Sequence, residues 1–406
     1  MQQFFMPAQI AQLIESAKGP AMISPGREAR FTLDGSDELE LRLARSCENV
    51  LAEVRKVVPP GELEALLLGG GYGRGEGGVL KTEFGDRPYN DLEFYVFIRG
   101  NNWLNERRFG GSLHQLAHQL TSEAEVEVEF KVISFTKLRR SPTNMFFYDL
   151  VTRHRWLFGN QQLLADLEKH HNAGNIPLSE ATRLLMNRCT GLLLARERLE
   201  LALFTVEDAD FVQRNLAKAQ LAFGDAVLTL YGQYHWSCLR RHERMQRLPE
   251  ANFPWLDVLR YHHDAGVKFK LHPYRTHRTQ AALLTQHNNV VAFARKVWLW
   301  LESCRLGCHF ISPQDYAFSQ LDKCPDTNPW RNRLVNVKAF GPVTFFSKRS
   351  RRHPRERIFN ALTLLLWEPL MTGPEIWSWL SGELRRPICA GADSVKVYQE
   401  RWRQFS

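Results

Sequence analysis

Between Leu68 and Gly78 the chain reads Leu-Gly-Gly-Gly-Tyr-Gly-Arg-Gly-Glu-Gly-Gly, seven glycines in eleven residues. This run cuts off at once the apolar stretch Ala65-Leu66-Leu67-Leu68, which is thereby read as a short strand entering a turn. Glycines in such a turn permit positive φ and let backbone N–H groups approach a phosphate closely. A flexible turn without a ligand is the plainer alternative. The run is no P-loop, because no Gly-Lys-Ser/Thr follows it, and Gly71-Tyr72-Gly73-Arg74-Gly75 fails dinucleotide-fingerprint spacing at the third glycine.

Downstream lies Tyr89-Asn90-Asp91-Leu92-Glu93-Phe94-Tyr95-Val96-Phe97. Asp91 and Glu93 stand two apart at the start of a strand, so both point to one face, with Phe94, Val96 and Ile98 on the other. Two carboxylates beside an anion-cradling turn repel each other unless a cation lies between them, which suits a hard divalent ion. A solvated strand face is the alternative. The segment 125–132, Glu-Val-Glu-Val-Glu-Phe-Lys-Val, alternates with period two and reads as a half-buried strand. Val126, Val128, Phe130 and Val132 form its apolar face, and Glu127 or Glu129 supplies a third acid.

The rest of the chain is organised differently. Residues 1–60 read mainly as helix, with 37–58 helically spaced and stopped by Pro59-Pro60-Gly61, and a further helix is expected at 113–122. From Leu178 onward helical patterns dominate, over 180–201, 209–234, 281–306 and 357–366, with a split near 249–273. The expected segmentation is 1–60 helical, 61–165 mixed α/β, 175–250 a helical bundle and 251–406 mainly helical.

Composition narrows the function classes. With 406 residues, 44% hydrophobic and 24% charged, the chain holds two or three ordinary globular domains. No apolar run nears the ~18–20 residues that span a bilayer, and Met1 to Phe5 lacks the basic start of a signal peptide. No membrane association is expected. Seven scattered cysteines, at 47, 189, 238, 304, 308, 324 and 389, fit reduced thiols and a cytoplasmic location. The adjacent histidines 170/171 and 262/263 point apart on a helix and make no metal site alone. A net charge of +9, from 53 Lys and Arg against 44 Asp and Glu, favours polyanionic partners without choosing among them.

Taken as a set, the glycine turn, the Asp-x-Glu strand and the later acidic strand resemble the polymerase-β-like nucleotidyltransferase superfamily. Gly70-Gly71-Tyr72-Gly73-Arg74-Gly75-Glu76 looks like the Gly-Ser-Tyr-Ala-Arg-Gly-Glu loop of its small bacterial members, and Asp91-Leu92-Glu93 matches the paired carboxylates. Glu129 aligns best with the third acid, and Glu127 competes with it. The resemblance covers roughly residues 60–160. It departs from the family at Gly71, which stands where a serine is usual, and in a longer spacer to Asp91 that implies an inserted loop at 80–88.

The resemblance implies an α+β catalytic domain, a mixed sheet flanked by helices, ahead of a mainly α-helical C-terminal half. It implies transfer of a nucleoside monophosphate, AMP foremost, from a nucleoside triphosphate to a hydroxyl acceptor, with release of pyrophosphate. Two Mg²⁺ ions would be held by Asp91, Glu93 and Glu129, with Glu129 also a candidate base for the acceptor hydroxyl. Gly70 and Gly71 would hold the phosphates through backbone N–H groups. Arg74 either adds a charge-assisted bond to the nucleotide or is a surface arginine. A triphosphate-binding lysine from the helical bundle is expected, with Lys218 the candidate and Arg214 one turn earlier; a solvated helix face is the alternative. Acceptors of small-molecule or protein type rank ahead of nucleic acid, although the basic cluster at 348–357 beside Phe345 and Phe346 suits it. A chain that keeps the fold and binds nucleotide or RNA without catalysis is the competing reading.

Overall fold

The computed structural model describes residues 30–249, 254–369, 373–388 and 391–405. Cys389 and the helical reading of residues 1–29 lie outside them. The described chain falls into two compact units, one of residues 30–177 with Tyr231–Arg275, the other of Leu178–Leu230 with 276–405. The first is mixed α/β and the second is helical.

In the first unit, α1 (Asp37–Val57) starts on a Ser36 cap whose hydroxyl accepts from Leu39 N at 3.3 Å. Acids in its first turn and Arg55 and Lys56 in its last suit the helix dipole. Leu39, Leu43, Cys47, Val50 and Val54 recur at helical spacing and form its buried stripe. Then follow β1 (Leu63–Leu68), the short helix α2 (Gly70–Arg74), the hairpin strands β2 (Val79–Thr82) and β3 (Gly85–Pro88), and β4 (Leu92–Ile98). The hairpin occupies the residues where a loop was expected at 80–88. Next come α3 (Asn102–Ala124), β5 (Val128–Ile133), α4 (Phe135–Arg140), α5 (Met145–Thr152), β6 (Arg155–Gly159) and α6 (Glu168–His171).

The main sheet has the order β5-β4-β1-β6, with β4 and β5 parallel and the other pairs antiparallel. Both faces are covered. Leu66, Leu68, Phe94, Val96 and Ile98 pack with the buried stripes of α1 and α3, while Ala65, Leu67, Tyr95, Phe97 and Ile133 pack with α4 and α5. A strand covered twice reads as a continuous apolar run, as β1 and β4 do.

The structure corrects the expected strand over 125–132. Helix α3 spans Asn102–Ala124 rather than 113–122, and Glu125 ends it in the left-handed region at φ 60°. Only Val128 onward pairs with β4. The alternation of residues 125–127 therefore belongs to a helix exit, where Glu125 lies 3.6 Å from Arg42 and 3.8 Å from Arg87.

The helical unit contains α7 (Leu178–Leu199) and α8 (Val206–Leu230), close to the expected 180–201 and 209–234. The chain then returns to the first unit through α9 (Cys238–Gln246) and α10 (Leu256–Leu271). Residues 231–275 thus join the N-terminal unit, where the expected segmentation put 231–250 in a helical bundle and the rest in the C-terminal region. The helical unit resumes with α11 (Gln280–Leu306), α12 (Pro313–Phe318), α13 (Pro329–Phe340), α14 (Arg355–Trp367), α15 (Pro374–Leu384) and α16 (Gly391–Phe405). No described helix is long and apolar enough to cross a membrane. The six described cysteines are free thiols.

Candidate active site

β1 hands the chain to the glycine turn beside the first residues of β4, and Gly69 N donates to the Glu93 carbonyl at 2.9 Å. Gly70 has φ +60°, and a Cβ there would sit 2.9 Å from Glu93 Oε1. Only glycine meets both conditions, so the turn lies directly against the Glu93 carboxylate. The N–H groups of Gly70 and Gly71, in the first turn of α2, have no acceptor within the helix.

Tyr72 is fully buried and fastens the turn. Its hydroxyl donates to the Gly78 carbonyl at 2.8 Å and accepts from Tyr89 N at 2.9 Å and Asn90 N at 3.4 Å. Burial pushes the phenol pKa up to about 12, against the two amides that favour its anion. The residues just ahead of Asp91 are thereby tied to the turn.

Asp91 immediately precedes β4, Glu93 is its second residue, and Glu129 is the in-register partner of Glu93 on parallel β5. Glu93 and Glu129 thus stand side by side near the start of both strands, and Asp91 lies two residues ahead of Glu93. Glu127 is exposed and outside β5, and its carbonyl accepts from Leu92 N at 2.8 Å. The register therefore puts Glu129, not Glu127, across from Glu93.

The electrostatics add a residue that the sequence analysis did not single out. Lys131 Nζ lies 2.9 Å from Glu93 Oε2 and 3.2 Å from Glu129 Oε2, and Tyr95 donates its hydroxyl to Glu93 at 2.5 Å. Burial works against the charge of Glu93, but Lys131, the Tyr95 hydrogen bond and Arg74 outweigh it and lower its pKa. Lys131 is raised in turn, since Glu93 and Glu129 outweigh its desolvation. Asp91 is half-buried and makes no hydrogen bond or ion pair among the described residues.

Arg74 is internal rather than a surface arginine. Its Nη1 lies 3.0 Å from Asp149 Oδ2, which also accepts from the Tyr234 hydroxyl at 3.3 Å. Burial opposes its charge, and Asp149 outweighs that and raises its pKa. Glu76, 5% exposed, accepts from Ser237 Oγ at 2.5 Å and from Cys238 N at 2.7 Å, holding the start of α9 against the turn.

Through that anchor α9 and α10 bring in Lys270. A Cβ on Gly71 would lie 3.2 Å from Lys270 Nζ and 3.1 Å from the Glu76 carbonyl, so the ammonium stands where a serine side chain would begin. Desolvation, then the Arg74 guanidinium, lowers the Lys270 pKa, while Asp91 and Glu93 pull the other way. No hydrogen bond or ion pair engages Lys270 among the described residues. Sequence reading missed it. The signal was a lysine three and four residues beyond Val267 and Gly266, on the buried stripe of α10.

Lys218, the lysine expected at the triphosphate, is an exposed residue of α8 in the helical unit and is not among the residues this unit gathers. Arg214 is exposed on the same helix. Tyr234, whose hydroxyl meets Asp149, also packs edge-on against Tyr148 at 5.8 Å.

No group of three His, Cys, Asp or Glu among the described residues is placed to hold a metal ion. The oxygen donors of Asp91, Glu93 and Glu129 suit Mg²⁺ chemically, and the Lys131 ammonium occupies the place between two of them. Compared with protein-family models, curated proteins and solved structures, the chain matches none.

Proposed function

We propose that the chain is a Mg²⁺-dependent nucleotidyltransferase that moves a nucleoside monophosphate, AMP foremost, from a nucleoside triphosphate to a hydroxyl on a small molecule or protein. One observation carries this reading. An unpaired lysine stands against Gly71 of a glycine turn whose Gly70 touches Glu93, opposite Glu129, and an unpaired aspartate follows Asn90, whose side chain accepts from Gly78 N at 3.0 Å. Charges left half-buried without partners cost stability unless a ligand completes them.

In this reading the N–H groups of Gly70 and Gly71 and the Lys270 ammonium hold the terminal phosphates. Lys270 takes the place of the missing serine hydroxyl with a full charge. Arg74, fixed by Asp149, adds positive potential behind the turn. Asp91, Glu93 and Glu129 would hold Mg²⁺, which when bound neutralises phosphate charge and acidifies the acceptor hydroxyl. The acceptor oxygen attacks the α-phosphorus, the bond to the bridging oxygen breaks and pyrophosphate leaves. Glu129 receives the hydroxyl proton.

A second reading has its own support. Lys131 already neutralises Glu93 and Glu129, as expected of a chain that binds nucleotide without transferring it. The test incubates the protein in cell extract with ATP, GTP, CTP or UTP labelled at the α-phosphate. Under the first reading one molecule becomes labelled, pyrophosphate is released, and both stop in Asp91→Ala with Glu93→Ala. ATP binding without any labelled product would support the second reading instead.

A further inference from the structure

In the helical unit, α13 and two 3-10 turns, Pro342–Phe346 and Lys348–Arg351, build one surface. Buried amides fasten it from beneath. Asn332 Nδ2 donates to the Arg351 carbonyl at 2.8 Å, and Asn336 Nδ2 donates to the Ser350 carbonyl at 3.2 Å and the Arg352 carbonyl at 3.0 Å. The opposite side of α13 carries Trp330, Leu334 and Lys338 at i, i+4 spacing, and Trp330 is 69% exposed.

Rings and cations alternate across this face. The Arg333 guanidinium lies 5.1 Å from the Trp330 ring and 5.2 Å from that of Phe345. Phe345 meets Phe346 edge-on at 5.5 Å, and Phe346 is 88% exposed. From Pro329 to Arg352 the chain has seven Lys and Arg and no Asp or Glu. Two of these act internally, Arg349 on Glu383 and Arg352 on Glu356. The other five, Arg331, Arg333, Lys338, Lys348 and Arg351, make no ion pair among the described residues.

Exposed rings interleaved with uncompensated cations fit a polymer that offers stackable faces and phosphates together. A duplex hides its base faces and leaves the rings idle, whereas a single strand uses both. We propose that this face binds single-stranded nucleic acid, its phosphates on the five free cations and its bases on Trp330 and Phe346. The proposal is independent of nucleotidyl transfer, because it rests on residues of the helical unit alone.

Fluorescence anisotropy on the full chain tests it, with labelled oligo-U and oligo-dT of about 20 nucleotides, a duplex of equal length, and anionic phospholipid vesicles as competitor. Both single strands should bind more tightly than the duplex, and vesicles should not displace them. Preference for oligo-U would identify RNA as the source, and preference for oligo-dT would identify DNA. Trp330→Ala with Phe346→Ala should weaken single-strand binding by about tenfold or more and leave the salt slope unchanged. Lys348→Ala with Arg351→Ala should reduce the slope of log K against log salt by about 1.4. All four side chains project from the surface, so unchanged circular-dichroism melting is the folding control. Equal affinity for duplex, displacement by vesicles, or full affinity in the aromatic double variant would overturn the proposal.

Discussion

Under the proposed reading the Lys270 ammonium beside Gly71 does what a serine hydroxyl there would do. A serine there would meet the Lys270 ammonium at 3.2 Å and the fixed Glu76 carbonyl at 3.1 Å. Gly71→Ser is therefore expected to push the lysine aside and weaken ATP binding several-fold, and to weaken it much less in a Lys270→Met background, where the Glu76 carbonyl contact alone remains. Lys270→Met itself should cost about 1.5–3 kcal/mol of ATP affinity, the usual loss of a charged hydrogen bond, with melting little changed because most of the aliphatic stem remains. Titration calorimetry on the three variants would check both, and an unchanged Kd in Lys270→Met would remove the lysine from the phosphate site. Because desolvation lowers the Lys270 pKa, its charge is lost as pH rises at a point below the ordinary lysine value of 10.5. ATP affinity should fall over that same alkaline range in the parent and stay flat in Lys270→Met. Tyr72 offers a stability test. Tyr72→Phe strands the Gly78 carbonyl and the Tyr89 and Asn90 amides in a buried place, a loss of about 1–3 kcal/mol in urea unfolding. Of these residues the acids were legible, since a two-residue spacing fixes a strand face wherever the strand goes. Lys270 was not, because nothing local connects α10 to a turn so far back in the chain.

At the scale of elements, Glu76 joins the glycine turn to the start of α9, where a carboxylate meets unpaired helix N–H groups and the dipole's positive end. His235, just ahead of α9, and His262, on α10, give this pair of helices a pH response. Burial, and for His235 the arginines 244, 241 and 240, lowers His235 and His262 from the ordinary 6.5 to about 4. Both bind their proton more weakly folded than unfolded. Their contribution is thus complete above pH 6.5 and is lost as pH falls toward 4. Hydrogen exchange should show α9 and α10 losing protection over that window before β1 and β4 do; uniform loss across the unit would contradict this. Helices α1, α7, α8, α11 and α14 were legible within a few residues, because their apolar stripes repeat over many turns, whereas the first half of α3 and the whole of α10 and α16 were not. Strand β6 was not read, as Arg155–Gly159 is five half-exposed or exposed residues without alternation. The start of β5 was misplaced because the alternation of Glu125 to Glu127 looks the same in a helix exit as in a strand.

Over the whole molecule the N-terminal unit is discontinuous, interrupted by α7 and α8 and completed by residues 231–275. These two helices, 22 and 25 residues long, pack on each other across a short loop, so the excursion returns near the point where it left. The sequence reading put the end of the catalytic region near residue 165, since no periodicity signals that a chain will come back to an earlier core. A fragment ending at Pro177 would lose Lys270, the Ser237 and Cys238 partners of buried Glu76, and the Tyr234 hydroxyl on Asp149. A buried carboxylate stripped of its donors is costly, and the fragment is expected to melt broadly and fail to bind ATP. A second chain, with Tyr231–Arg275 joined to Pro177 by a short Gly-Ser linker in place of α7 and α8, should regain a sharp melt and, with it, ATP binding. Calorimetry of the two chains separates the cases. Equal cooperativity in both would mean that the first 177 residues complete their own core, and that α9 and α10 only decorate it.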